Sequence, residues 1–128
     1  MIVAPYDGSY TPAAIVLPVI VEGVVSGRSA VMGMFVDPLA AQSVIAVSLV
    51  DGLGLTLFGE GAIISSEGQS LPVPSYFATI WVEGRAHWLS VLGYGDTSYA
   101  GRDILDQLSI TLDGSNQRLL VRLSSAEE

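Results

Sequence analysis

The stretch Phe35-Val36-Asp37-Pro38-Leu39-Ala40-Ala41-Gln42-Ser43-Val44-Ile45 sets one carboxylate at the end of an apolar run and begins a second apolar run soon after it. The apolar, partly β-branched residues before Asp37 are typical of a buried strand. Because Asp-Pro commonly opens a turn, the pattern by itself predicts that the strand ends at Asp37 and that a turn follows. Whether Asp37 also has a chemical role depends on the rest of the chain.

The composition predicts one domain that associates with another chain. With 128 residues, the chain is long enough for a single hydrophobic core and too short for two domains. Half of the residues (50%) are hydrophobic and only 14% are charged. After a core is filled, much apolar area must remain on the surface, and such area usually marks an interface. We therefore expect an oligomer.

The charge pattern excludes two classes of partner. The formal net charge is −8, and the basic residues number only 5. They are dispersed arginines without a single lysine, namely Arg28, Arg85, Arg102, Arg118 and Arg122. A nucleic-acid interface needs a clustered basic face, and anionic lipid attracts basic segments. We therefore expect no nucleic-acid partner and no membrane partner.

The chain has few groups for metal or thiol chemistry. It contains no cysteine and only one histidine, His87, to which we assign no role. We therefore expect no metal and no cofactor. The apolar stretch 13–25 is interrupted by Pro18 and Glu22, unlike a signal peptide or a membrane span. A cytoplasmic location is the expectation.

Glycine turns and alternating apolar residues predict an all-β chain with one or two short helices. We divide it into an extended N-terminal arm (1–12) available for pairing at an interface, a domain (13–123) and a polar tail (124–128). The predicted hairpins join 15–23 to 30–37, 62–66 to 70–73, 76–83 to 86–92, and 109–112 to 118–123. Short helices are predicted within 43–53, where a buried strand also fits, and over 101–108. Trp81 and Trp88 are expected in the core or at a dimer face.

A faint internal repeat connects two of the hairpins. Val19-Ile20-Val21-Glu22-Gly23 recurs as Ile80-Trp81-Val82-Glu83-Gly84. Each copy is followed by a second apolar strand, a loop and a short helix-like segment. The first copy leads to Asp37 and the second leads to Gly101, so the repeat predicts a duplicated architecture.

Taken together, these segments resemble the retropepsin-like aspartic peptidases, in particular the small single-domain bacterial members, across roughly residues 13–123. The matching pieces are the two Val-Glu-Gly hairpins, the strand into Asp37, the Ser43-Val44-Ile45 segment and the glycine-tipped hairpin at 66–70. Ala100-Gly101-Arg102-Asp103-Ile104-Leu105 matches the hydrophobic-Gly-Arg-Asp helix start of that family. The resemblance implies the acid-protease fold, a closed all-β barrel.

The resemblance also implies roles for individual residues. Asp37 is the candidate catalytic residue, facing its copy across the two-fold axis of a homodimer that acts on a peptide or protein. The flap implied to close over that ligand contains Ser66, Glu67, Gly68 and Gln69. Gly101, Arg102 and Asp103 are implied to be structural. The arginine commonly bonds toward the Asp loop in the family, but Ala41 stands where relatives often have Ser or an acidic residue, so we expect Arg102 to use another partner such as Asp103 or a carbonyl.

The active-site motif is degenerate, because the chain has Asp-Pro-Leu-Ala where the family has Asp-Thr/Ser-Gly-Ala. Ala40 is kept, whereas Pro38 lacks the hydroxyl and the N–H that brace the two loops. Leu39 adds a side chain where glycine leaves room. We therefore expect an impaired or inactive peptidase homologue. The alternatives are a non-catalytic homodimerisation or peptide-binding module, an active aspartic endopeptidase, and an unrelated monomeric β-barrel.

Overall fold

The computed structural model describes residues 1–123, and the predicted polar tail 124–128 lies outside the described residues. The strands are β1 (Ile2–Pro5), β2 (Val16–Glu22), β3 (Ser29–Val36), β4 (Val44–Ile45), β5 (Thr56–Ile64), β6 (Ser70–Val82), β7 (Arg85–Gly93), β8 (Tyr99–Ala100), β9 (Leu108–Asp113) and β10 (Arg118–Leu123). The helices are α1 (Val47–Leu53) and α2 (Arg102–Leu105), and a 3-10 turn spans Gly114–Asn116. Strands dominate, which confirms the predicted all-β class.

The larger sheet closes on itself. Its strands follow the order β2-β3-β8-β4-β7-β6-β5, and β2 also pairs with β6. This additional pairing joins the first strand of the ring to the long strand β6 and gives a rough barrel. Strand β5 lies outside the ring, because it pairs with residues 70–77 of β6 and forms a hairpin that projects beyond it.

The two copies of the sequence repeat lie side by side in this ring. Ile20 is opposite Trp81, and Val21 is opposite Ile80, in antiparallel register. The strands that follow form two parallel pairs, β3 with β8 and β4 with β7. Parallel neighbours bring their carboxyl ends to the same edge of a sheet. Asp37, directly after β3, therefore lies beside Gly101, directly after β8.

The hydrophobic core joins the inner face of the ring to buried residues of α1, β1 and β10. Alternate residues of β2 point inward, so Leu17, Val19 and Val21 are buried, as are Ile80 and Val82 of β6. This period of two is the pattern of strands with one covered face. Helix α2 adds a fully buried side chain, Ile104.

The outer face of the sheet carries exposed aromatic side chains. Trp88 is 77% exposed, so it lies outside the core of the described chain. Trp81 is also partly exposed, and its indole N–H donates to Glu22. Their predicted place at a dimer face stays a prediction. None of the helices within residues 1–123 has the length and apolar character needed to cross a membrane.

Two predicted helices have different limits in the structure. In the segment 43–53, residues 44–45 form β4 because they pair with β7, and the helix begins only at Val47. Both interpretations of this segment were therefore partly right. Helix α2 ends at Leu105, earlier than predicted, because Leu108 begins β9 and pairs with Leu123.

The chain ends form a separate three-stranded sheet in the order β1-β10-β9. The first residues, assigned from sequence to an extended arm, thus pair with β10 of the same chain. The turn between β9 and β10 is held by the carboxylate of Asp113. Hydrogen bonds from Asn116 and then Arg118 hold the pKa of Asp113 below its ordinary value. This support is present at neutral pH and is lost in acid as the carboxylate is protonated.

The β2–β3 turn caps the end of α1. The hydroxyl of Ser26 donates to the carbonyl of Leu53 at 2.6 Å, and the guanidinium of Arg28 donates to the carbonyl of Gly52 at 3.1 Å. These carbonyls have no partner inside the helix, because the last turn leaves its acceptors free. A Cβ on Gly23 would lie 2.7 Å from the Leu53 carbonyl oxygen, so only glycine fits beside this cap. The first hairpin is thereby attached to α1.

The cap predicts a measurable loss of stability. Ser26→Ala removes the donor to Leu53 and should lower the free energy of unfolding by about 1 kcal/mol, the usual contribution of one such hydrogen bond. Urea unfolding followed by circular dichroism measures the change. Ser29→Ala is the matched control, because Ser29 is exposed in β3 and should change stability little. Equal effects of the two substitutions would contradict the capping role.

Candidate active-site cleft

Asp37 lies at the start of a loop that the backbone holds firmly. Its N–H donates to the carbonyl of Ala100 at 3.0 Å, and its own carbonyl accepts from the N–H of Ala40 at 3.2 Å. Its side-chain Oδ1 accepts from the N–H of Leu39 at 3.1 Å. The carboxylate is half-buried, and its Oδ2 accepts no hydrogen bond from residues 1–123. One oxygen is fixed by the loop, and the other is available to a ligand.

The two substituted positions of the motif do not disturb this loop. Leu39 is 90% exposed, and Pro38 is exposed as well. Leu39 does not need the left-handed conformation that favours glycine, since it is not among the residues with positive φ. Within one chain, the expected crowding at Leu39 is therefore absent. Its backbone N–H supports Asp37 while its side chain points to the outside.

The helix-start motif packs directly against the loop. A Cβ on Gly101 would lie 2.9 Å from the carbonyl oxygen of Ala40 and 2.8 Å from the carbonyl carbon of Gln42. The backbone N–H groups of Arg102 and Asp103 donate to the carbonyls of Ala40 and Ala41, at 2.8 and 3.2 Å. The first turn of α2 and the loop therefore share backbone hydrogen bonds that only glycine at position 101 allows.

The carboxylate of Asp103 makes the main side-chain link between α2 and the loop. Its Oδ2 accepts from the N–H of Ser43 at 2.9 Å, and its Oδ1 accepts from the Ser43 hydroxyl at 2.6 Å. The N–H of Ile104 also donates to Oδ1, at 2.9 Å. The hydroxyl of Ser43 in turn accepts from the N–H of Gly101 at 3.0 Å. Ser43 is fully buried, so none of these bonds competes with water.

This link differs from the one that the sequence suggested. Arg102 was expected to find a partner such as Asp103 or a carbonyl, but its side chain is exposed and makes no hydrogen bond or ion pair within residues 1–123. Asp103 itself makes the link to the loop. Ser43 was not identified as a site residue from sequence. The available signal was a small hydroxyl residue inside an apolar run, which is costly to bury without a partner.

The hairpin of β5 and β6 forms the opposite wall. Residues 62–64 of β5 face the Asp37 loop, whereas the predicted flap residues Ser66, Glu67, Gly68 and Gln69 are exposed at its tip and do not line the cleft. The tip is a tight turn in which the N–H of Ser65 donates to the carbonyl of Gln69 at 2.8 Å and Gly68 has φ +81°. The hairpin exists as predicted, and its contribution to the cleft comes from the residues before the tip.

Between loop and hairpin lies a cleft of about 730 Å³. Its lining residues are Asp37, Leu39, Ala40, Ala41, Gln42 and Val44 of the loop, Ala62, Ile63 and Ile64 of β5, Leu92 of β7, and Tyr94, Gly95, Asp96, Thr97 and Tyr99 of the segment before α2. Only Asp37 and Asp96 of these are charged. The lining therefore suits an apolar ligand with few polar groups, and it offers no cation to an acidic one.

Gln42 presents a fixed acceptor inside the cleft. Its Nε2 donates to the carbonyl of Ser90 at 2.8 Å and to the Ser90 hydroxyl at 3.1 Å. Both amide hydrogens are thus used, and Oε1 lies 3.9 Å from the place of a Cβ on Gly61 of β5. An N–H of an extended ligand lying under the hairpin could donate to this oxygen.

His87 lies outside the cleft and contacts the segment directly after α2. Its Nδ1 forms a hydrogen bond of 3.0 Å with Oε1 of Gln107. Gln107 in turn donates to the carbonyl of Asp103 at 2.9 Å. The other ring nitrogen, Nε2, is buried without a partner among the described residues. Within residues 1–123, no three His, Cys, Asp or Glu side chains lie close enough together to hold a metal ion.

The Asp103 link predicts an unusual sensitivity to a conservative change. Both oxygens of Asp103 only accept hydrogen bonds, so Asp103→Asn sets an NH₂ group against an N–H or hydroxyl donor. We expect the free energy of unfolding to fall by about 2 kcal/mol, as for a lost bond to a charged group. Chemical unfolding measures the effect. Asp106→Asn, at an exposed carboxylate directly after α2, is the control and should be near neutral. A neutral Asp103→Asn would disprove the link.

Comparison with solved structures identifies this architecture. The EIAV protease, solved in complex with the inhibitor HBY-793, superposes with a TM-score of 0.60 at 20% identity and covers 73% of this chain and 86% of its own. A retropepsin-like aspartic protease from Rickettsia conorii superposes with a TM-score of 0.63 at 12% identity, and the match covers 97% of this chain and 92% of that protease. No family model and no curated protein matches the sequence. The chain therefore has the retropepsin-like aspartic protease fold that its Asp37 loop and its Gly101-Arg102-Asp103 segment predict.

Proposed function

We propose that this protein is a retropepsin-like aspartic peptidase homologue that binds an extended peptide as a homodimer, with impaired hydrolysis. The cleft carries this proposal, because the Asp37 carboxylate lies in the wall opposite the β5–β6 hairpin. Its largely apolar lining and the acceptor on Gln42 suit a peptide with apolar side chains. The shared fold supports the assignment to this class, and the activity itself is our inference.

Hydrolysis by this class of site needs two carboxylates that share a proton. One takes a proton from a water molecule, whose oxygen attacks the scissile carbonyl carbon, while the other donates its proton to the carbonyl oxygen. Asp37 supplies one carboxylate per chain, so the second must come from Asp37 of another copy. The hydrogen bond from Leu39 to Oδ1 favours one orientation of the carboxylate and leaves Oδ2 to act on water.

The homodimer is supported by surfaces that a single chain leaves open. In the three-stranded sheet, β1 and β9 each pair on one side only among the described strands. Such edges present unpaired N–H and C=O groups that a second chain can satisfy. The high apolar content of the chain, 50%, agrees with further surface being covered in this way.

We expect impaired hydrolysis because Pro38 cannot form a hydrogen bond to the facing loop of a second chain. A Thr or Ser at this position offers a hydroxyl to the facing loop, whereas proline has neither a hydroxyl nor an N–H. Without that brace, the two carboxylates are held less closely, and proton sharing depends on hydrogen-bond distance. A non-catalytic peptide-binding dimer is the second candidate. The exposed Pro38 and Leu39 favour it, since both lie where the reacting groups would meet.

The role of Asp37 predicts a selective loss. We expect the wild-type chain to cleave a denatured protein slowly at acidic pH, and a statine-type inhibitor to block the cleavage. Asp37→Asn should abolish cleavage yet keep peptide binding, because the amide preserves the shape of the cleft without the shared proton. Mass spectrometry of the products and fluorescence binding of a labelled peptide provide the two measurements.

The matched control is Asp96→Asn, which removes the other carboxylate of the same cleft and should leave cleavage measurable. Cleavage that persists unchanged in Asp37→Asn would end the peptidase proposal. Binding without any cleavage by the wild-type chain would favour the second candidate.

The cause of the impairment predicts a gain of activity. Pro38→Thr combined with Leu39→Gly restores the hydroxyl brace and opens the space before the carboxylates. We expect the cleavage rate to rise by about 100-fold, within the range that positioned acid–base catalysis contributes. Pro38→Ala with Leu39→Ala is the control that removes both side chains without a hydroxyl. If both double variants gain equally, the missing hydroxyl is not the cause.

A further inference from the structure

The loop at 38–41 combines a rigid backbone with an unusually exposed side chain. Leu39 is 90% exposed, more than any other large hydrophobic residue in the described chain. Yet the backbone around it is fixed by the bonds of Asp37 to Ala100 and of Arg102 to Ala40. The loop backbone therefore keeps this side chain outside the core, and its attachment point is positioned before any partner binds. A rigid apolar group held in water is typical of an interface anchor.

The uncharged patch around Leu39 is suited to contact with a second copy of this chain. The net charge of −8 makes two copies repel each other, so a self-contact must use an uncharged patch. Pro38, Leu39, Ala40 and Ala41 form such a patch, with no charge and with three of the four side chains exposed. A contact across a two-fold axis pairs a residue with itself, and an apolar side chain is complementary to its own copy.

We propose that Leu39 packs against Leu39 of a second copy, flanked by Pro38, so that an apolar contact replaces the hydroxyl brace between the two Asp37 loops. This inference rests on the homodimer of the proposed function and adds the residue that holds the loops together. The Leu39–Leu39 contact strengthens the dimer while filling space in front of the carboxylates. The same residue thereby stabilises assembly and hinders hydrolysis, because Leu39 also lines the cleft.

Cross-linking tests this contact directly, because the chain has no cysteine. Leu39→Cys introduces one thiol at the proposed axis, and Val31→Cys introduces one at a comparably exposed position, 82% exposed, on β3. Under mild oxidation, or with a short bis-maleimide, we expect Leu39→Cys to form covalent dimers about tenfold faster or more, since neighbouring thiols react at a high effective concentration. Equal rates for the two variants would overturn the Leu39–Leu39 contact.

A charge substitution gives a second measurement that does not depend on disulfide geometry. Leu39→Asp sets two carboxylates against each other at the axis and should raise the dimer dissociation constant by about 100-fold, because facing like charges repel each other. Val31→Asp is the control and should change it little. Analytical ultracentrifugation of each variant measures the constant. An unchanged constant for Leu39→Asp would overturn the contact.

The mass of the wild-type chain separates this inference from the proposed function. A single-chain mass at all concentrations would end both the homodimer and the Leu39–Leu39 contact. A dimer mass with slow Leu39→Cys cross-linking and an unaffected Leu39→Asp dimer would end only the contact and keep the dimer. A dimer mass with rapid Leu39→Cys cross-linking supports both.

Discussion

The bidentate contact between the Asp103 carboxylate and Ser43 is the constraint on which the site depends. Through it, α2 fixes the chain immediately after the Asp37 loop, and the Ser43 hydroxyl carries the restraint on to Gly101. The carboxylate has a charge, and burial strengthens each of its hydrogen bonds relative to water. Because every donor around it is a backbone N–H or a buried hydroxyl, the contact specifies backbone positions rather than side-chain packing. The loop can therefore tolerate changes at its exposed residues.

That constraint is embedded in a duplicated architecture. The two parallel strand pairs, β3 with β8 and β4 with β7, relate the halves of the barrel to each other. A parallel pair needs a crossover connection, and here the connection from β4 to β7 runs through α1, β5 and β6. The Asp37 loop and the Gly101 turn consequently meet at one edge although they lie far apart in the sequence. The antiparallel pairing of the two repeat copies at Val21 and Ile80 closes the ring on the other side.

Much of this could be predicted from local patterns. The hairpins follow from glycine turns between alternating apolar residues, and the Gly101 element followed from its resemblance to a known helix start. What could not be predicted depends on contacts between distant residues. Ser43 gains its importance from Asp103, 60 positions away, and no periodicity signals that pairing. Likewise, Arg102 has the more conspicuous side chain, but the exposure of its guanidinium and the inward aim of Asp103 are set by the position of α2.

The Asp37 loop keeps its backbone hydrogen bonds although two positions of the family motif are substituted. The family resemblance directs attention to the side chains at 38 and 39, but within the chain the loop uses only their backbone, and the N–H of Leu39 still supports Asp37. The substitutions at positions 38 and 39 must therefore act on contacts between this chain and other molecules. Burying exposed apolar groups away from water stabilises an association. A hydrogen bond between hydroxyl groups contributes little net stability, because each hydroxyl already forms hydrogen bonds with water. Under the function proposed above, replacing the brace with Leu39 would favour association over the close approach of two carboxylates, so that assembly would be retained while catalysis was weakened.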